Sequence, residues 1–188
     1  MRSTGIVLFV LLVACAAGLS PAAASPNAFT LTSSAFAEGG MIPKVHECTS
    51  GGGNDPAKKN ESPPLAWSGA PGTAKSYAII MRDLSNNNLL HWIIYDIPVS
   101  TASLPQNVQH AYQPAVPAGA RQVYYRGSAS LFGYQGPCSP TTINTYEFVV
   151  YALNKASLTN LNANSSTQTA ARVITAASIA TARVTGKS

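Results

Sequence analysis

Three segments of this chain are apolar with almost no alternation. They are residues 76–81 (SYAIIM), 91–97 (HWIIYDI) and 146–153 (YEFVVYAL), all rich in β-branched and aromatic side chains. A strand with one wet face alternates apolar and polar residues, whereas a run without alternation must be covered on both sides. The three segments therefore read as central strands, buried on both faces, and 188 residues suffice to supply that cover within one domain. Residues 29–32 do alternate, as a half-buried strand should. With 13 prolines and 14 glycines punctuating it, the chain reads as a turn-rich, mainly β protein. Its best helix runs from Thr167 to about Ala177. Ser165, Ser166 and Thr167 offer caps, and Ala170, Val173, Ile174 and Ala177 share one face.

Charge excludes some classes of function. Charged residues make up 10% of the chain, against about 25% in an average soluble domain, and hydrophobic residues 46%, so disorder is excluded as the main state. The net charge of +5 arises from 12 basic and 7 acidic residues with no basic run longer than Lys58-Lys59. A dedicated nucleic-acid binder needs a denser basic stripe.

Residues 1–24 read as an export signal. Arg2 supplies the positive start, residues 6–17 are apolar, and Ala22, Ala23 and Ala24 stand before Ser25 as small residues for cleavage. The apolar run is too short to span a bilayer, which takes about 20 residues. The mature chain, residues 25–188, is then a single domain without a transmembrane segment, exported to the periplasm or the cell exterior. The alternative is a lipobox-like Leu12-Val13-Ala14-Cys15, which would anchor the protein through a lipid on Cys15. Either route leaves Cys48 and Cys138. Two thiols in an oxidising compartment invite a disulfide; two separate buried thiols are the alternative, since spacing alone does not bring Cα atoms within about 7 Å.

Polar residues at strand ends are the candidates for chemistry. Asp83 follows the first central run, and His91 opens the second. An Asp and a His at adjacent strand ends suggest a polar pocket floor in an apolar wall, although a turn-capping Asp and a satisfied core His would look the same. Between residues 97 and 133, a stretch holding Pro98, Pro105, Pro114 and Pro117 is too long for an idle connection and reads as a site-shaping loop.

Several blocks follow one another in a telling order: Ser62-Pro63-Pro64-Leu65 with Trp67, Gly69-Ala70-Pro71, YAIIMRD at 77–83, HWIIYDIP at 91–98, GYQGPCSP at 133–140 and YEFVVYAL at 146–153. Together they resemble the phosphatidylethanolamine-binding protein family, in particular its bacterial Raf kinase inhibitor-like branch, from about residue 29 to 186. The resemblance implies a mainly β domain in which a large central β-sheet packs on a smaller sheet, with a C-terminal helix near a small anion-binding pocket. Family members bind phosphate-bearing head groups or similar anions, and some modulate kinases or proteases. They have no established catalytic activity, and no cofactor is implied.

Carried over by position, the pocket is lined by Asp83, His91, Gly136, Pro137, Cys138, Asn144 and Tyr146. On this reading Gly136 lets backbone approach a ligand and present its N–H, and His91 and Tyr146 donate hydrogen bonds to oxyanions. Asp83 holds the His91 ring in one tautomer and favours its charged form. The Pro63-Pro64 step is a candidate for a cis bond. Because the resemblance gathers the blocks bordering Cys48 and Cys138 around one pocket, a disulfide between them is expected.

The chain also departs from the family pattern. Asp83-Leu84-Ser85 replaces Asp-Pro-Asp, Leu89 and Leu90 stand where aromatics are usual, Asn144 replaces a second histidine, and Thr141, Thr142 and Ile143 replace glycines. An insertion at 49–59 follows Cys48. These changes bear on the ligand more than on the fold. Three rival functions remain in view. A hydrolase using Asp83, His91 and a serine lacks a nucleophile elbow, since Gly127-Ser128-Ala129-Ser130-Leu131 fails at its last glycine. A metal site from His46, Cys48, His91 and Cys138 lacks the usual paired spacing, and a disulfide would consume both sulfurs. A protein-binding modulator with a vestigial pocket is the third.

Overall fold

The computed structural model describes residues 28–49, 55–125, 131–139 and 141–188. The expected export signal, Cys15, and Ser128 and Ser130 lie outside the described residues. In chain order the elements are β1 (Thr30–Thr32), β2 (Gly40–Met41), a 3-10 turn (Lys44–His46), β3 (Leu65–Ser68), β4 (Ser76–Asp83), β5 (Leu89–Pro98), β6 (Ser103–Leu104), β7 (Arg121–Gln122), β8 (Thr145–Leu153), α1 (Thr167–Ala177) and β9 (Ser178–Lys187). Six strands form one sheet in the order β2-β9-β8-β4-β5-β7, and β1-β3-β6 form a second. Pairing is antiparallel except between β2 and β9. The fold is the expected one: mainly β, with two sheets and a helix near the C-terminus.

The unbroken apolar runs are explained by cover on both faces. On one side Ile79, Met81, Trp92, Ile94, Phe148 and Val150 pack with Leu31, Leu65 and Trp67 of the small sheet. On the other, Ala78, Ile80, Ile93, Val149 and Tyr151 pack with Ala170, Ile174 and Ala177 of α1. Each fully buried Ile of this set stabilises the fold by about 1.5–3 kcal/mol. The helix begins where its cap predicts, because the Ser166 hydroxyl accepts from the Thr169 N–H at 3.1 Å.

Five strands, β2, β3, β6, β7 and β9, were not evident in the sequence; β2, β6 and β7 are two residues each, too short to carry a pattern. β9 pairs with β8 along its length, yet its inward positions are small, with Ala180, Ala182 and Val184 facing the core. β3 alternates Leu65 and Trp67 inward but is too short to stand out beside Pro63 and Pro64. The cis peptide among the described residues is Val116–Pro117, so the expectation at Pro63-Pro64 is corrected. That cis bond lies in the long 97–133 stretch, which the buried Gln122 side chain secures. Its amide donates to the Gln109 and Ala111 carbonyls at 2.8 and 2.9 Å, and its oxygen accepts from the Trp92 indole at 2.7 Å. One side chain thus satisfies loop backbone and a core indole together.

Candidate functional site

The site forms where β4 ends and β5 and β8 begin. Asp83 pairs with Leu89 on one side and Tyr146 on the other, so the three strand termini are level. Beside them the β4–β5 ladder slips: Met81 pairs with Trp92 and Arg82 with Leu90, leaving His91 as the extra residue of a β-bulge. A bulge re-aims the side chain that strict alternation would send to the other face. His91 and Trp92 consequently face the same side, and the His91 ring sits edge-on to Tyr146 with centroids 5.3 Å apart and 5.7 Å from Tyr125.

Asp83 and His91 are both buried, at 1% and 3% exposure. The Asp83 carboxylate accepts from the Ser85 N–H at 2.9 Å and the Asn144 amide at 2.7 Å. Asn144 in turn accepts from the Thr142 hydroxyl at 3.0 Å. The His91 Nδ1–H donates to the Gln135 carbonyl at 2.8 Å. A carbonyl only accepts, so Nδ1 carries the proton and Nε2 carries the lone pair of the neutral ring. Nε2 meets no hydrogen-bond partner among the described residues.

This geometry corrects the role expected of Asp83. The Gln135 carbonyl, not the carboxylate, sets the His91 tautomer. Burial lowers the His91 pKa, opposed by the Gln135 carbonyl, the Asp83 charge and the Gly136 backbone, so the neutral ring is favoured where the charged one was expected. The Tyr146 phenol is pushed up, first by burial and then by the Asp83 charge, and stays protonated.

A cleft of about 170 Å³ opens over these groups. Asp83, His91, Cys138, Asn144 and Tyr146 of the expected set line it, joined by Asn86, Leu89, Tyr125 and Ser139. The last four were missed. Tyr125 lies in the long stretch already read as site-shaping, and Asn86 precedes Asn87 and Asn88, whose positive φ marks the β4–β5 turn. Larger hollows of about 390 and 350 Å³ lie near the end of α1 and over the Arg82–Glu147 pair. The smaller cleft is the better candidate, because it gathers a buried carboxylate, imidazole and phenol.

Gly136 and Pro137 do not line the cleft but stand behind it. A Cβ on Gly136 would meet the His46 carbonyl oxygen at 2.0 Å, and its N–H donates to the Asn60 side chain at 2.7 Å. The Pro137 carbonyl accepts from the Cys48 N–H at 2.9 Å. Glycine is therefore required for chain-to-chain packing, and its N–H is not available to a ligand. The same junction carries the Cys48–Cys138 disulfide, with Cα atoms 5.3 Å apart, joining segments 90 residues distant in sequence. The sulfurs of the rival metal set are thus bonded to each other, and His46 Nδ1–H donates to the Glu61 carbonyl at 2.8 Å.

Comparison with known proteins bears on this cleft. The profile described as phosphatidylethanolamine-binding protein matches residues 32–188. The UPF0098 protein YbcL of Escherichia coli is 31% identical over 167 residues, covering 86% of this chain and 88% of its own. A UPF0098 protein of Methanothermobacter thermautotrophicus is 36% identical over 126 residues, covering 66% of this chain and 76% of its own. The crystal structure of E. coli YbcL, described as a new member of the mammalian PEBP family, superposes with a TM-score of 0.72 at 29% identity, covering 85% of this chain and 96% of that one.

Proposed function

Because this chain belongs to the phosphatidylethanolamine-binding protein family, we propose that it is an exported, non-catalytic binding protein whose cleft holds a small anionic or phosphate-bearing head group. The observation that carries this reading is the convergence of Asp83, His91, Asn144 and Tyr146 on one small cleft in an apolar wall. The groups present suit binding more than bond making. Cys138 is oxidised, and the Asp83 carboxylate is engaged by Ser85 and Asn144 instead of directing His91 toward a nucleophile. Isothermal titration with phosphorylethanolamine tests the reading; no heat of binding between pH 5 and 8 would reject it.

Export through residues 1–24 is supported by the disulfide, which persists in oxidising compartments. Intact mass distinguishes a mature start at Ser25 from a lipid on Cys15. A second reading, a protein-binding modulator, is favoured by one observation. Leu84 and Ile143, the chain neighbours of Asp83 and Asn144, are exposed at 39% and 71%. A partner pull-down from the exported fraction tests it.

A further inference from the structure

The two sulfurs of the Cys48–Cys138 disulfide sit in different surroundings. Cys48 is 1% exposed and lies in the junction behind the cleft, where its N–H donates to the Pro137 carbonyl at 2.9 Å. Cys138 is half-buried and lines the cleft with His91 and Ser139. A small molecule in the cleft therefore meets one sulfur of the bond and not the other, and access decides which sulfur of a disulfide a thiolate attacks. Gln135 ties that sulfur to the imidazole. Its side-chain amide donates to Cys138 Sγ at 3.0 Å, its backbone carbonyl accepts from the His91 Nδ1–H at 2.8 Å, and its N–H donates to the His91 carbonyl at 3.1 Å. An N–H aimed at sulfur stabilises the charge it carries as a thiolate.

We propose that Cys138 is a thiol-exchange site, modified by a small thiol that enters through the cleft. The thiol attacks as its thiolate, R–S⁻, its proton having gone to water. A bond forms between its sulfur and Cys138 Sγ while the Cys48–Cys138 bond breaks. Cys48 leaves with the electron pair and takes up a proton from water. The product is the mixed disulfide R–S–S–Cys138 with Cys48 as a free thiol. A second thiolate then attacks the R-bearing sulfur, forms R–S–S–R and expels Cys138 as a thiolate facing the Gln135 amide. Two thiols are oxidised in all, and one protein disulfide is reduced. The cleft of about 170 Å³ is narrow and flanked by Tyr125 and Tyr146, so it admits a short-chain thiol more readily than one carried on a ring. The step modifies the protein and does not depend on which head group the cleft binds.

The test treats the oxidised full protein, under native conditions, with mercaptoethanol or thioglucose, traps free thiols by alkylation at early times and maps the peptides by mass. The expected product carries mercaptoethanol on Cys138 and the alkyl group on Cys48, in about tenfold excess over the reverse pattern. With each rate divided by that thiol's rate on the urea-unfolded chain, thioglucose is expected to react about tenfold more slowly than mercaptoethanol. The imidazole ¹⁵N shifts of His91 are expected to move as the adduct forms, because both occupy one cleft. If the adduct is too short-lived to trap, Cys48→Ser and Cys138→Ser are compared in their reaction with hydroxyethyl disulfide, and the thiol left at Cys138 is expected to react about tenfold faster than the one left at Cys48. An adduct on Cys48, equal normalised rates, unmoved His91 shifts, or a faster Cys48 thiol each overturns the proposal. So does a disulfide that resists both thiols until the chain unfolds. Head-group binding is measured separately by titration of the oxidised protein, so the two readings fail independently.

Discussion

The side-chain amide of Asn144 donates to the Asp83 carboxylate across 2.7 Å, closing one wall of the cleft. The amide is therefore committed to another protein group and contributes no charge. Replacing it by an imidazole places a titratable group against a carboxylate, which favours the imidazolium. Asn144→His is expected to tighten phosphorylethanolamine binding about fivefold, near 1 kcal/mol, at pH below about 6.5, with the gain shrinking at alkaline pH. Titration of both proteins at pH 5.5 and 8 measures it. Equal affinities at both would show that Asn144 does not face the ligand.

Removing the carboxylate has two consequences. Asp83→Ala leaves the Ser85 N–H and the Asn144 amide without their acceptor, a loss of about 1–3 kcal/mol for buried donors. It also takes away the one charge that helps His91 accept a proton. Stability is expected to fall within that range while phosphorylethanolamine binding weakens. Calorimetry with and without the probe separates the effects. An unfolding free energy lower by well over 3 kcal/mol, with binding unchanged, would make Asp83 a structural strut.

Gly136→Ala probes the junction behind the cleft. The new methyl group meets the backbone oxygen of His46, which cannot swing away as a side chain could. Overpacking of this kind costs about 1–3 kcal/mol, and more where backbone must move. A lower melting temperature is expected. Unchanged stability would mean that the two segments separate easily, despite the disulfide between Cys48 and Cys138 beside them.

Stability is expected to fall as pH drops below about 6.5. His46 and His91 are both buried with lowered pKa values, so between 6.5 and their folded values the unfolded chain binds more protons than the folded one. Their contribution is fully present above 6.5 and is lost as pH falls through the folded values. Urea denaturation at pH 7.5, 6 and 5 should show the decline, with a shallower one in His91→Gln. A flat profile across that range would contradict the burial of both rings.

How much of this was legible in the chain depends on whether the signal was local. The central strands announced themselves because burial on both faces removes alternation, and α1 because Ser166 and a one-sided apolar stripe are local features. β9 gave little warning, since its inward side chains are small and its place is set by pairing with β8. The order and spacing of the family's motif blocks located Asp83, His91, Cys138, Asn144 and Tyr146. The same blocks misplaced Gly136 and Pro137, because a glycine needed against a ligand and one needed against His46 are the same letter.

Composition, periodicity and motif order thus determined a mainly β chain, its buried strands and most of the cleft's inventory, all properties that each segment carries by itself. Only the tertiary structure decided which atoms face the cleft. The bulge at His91 arises from a slip between two strands, and the ring's tautomer from a carbonyl 44 residues away. The position of Gly136 depends on a segment 90 residues earlier. Hydrogen-bond direction at a buried imidazole follows from what lies across from it, and that is a matter of packing between distant segments.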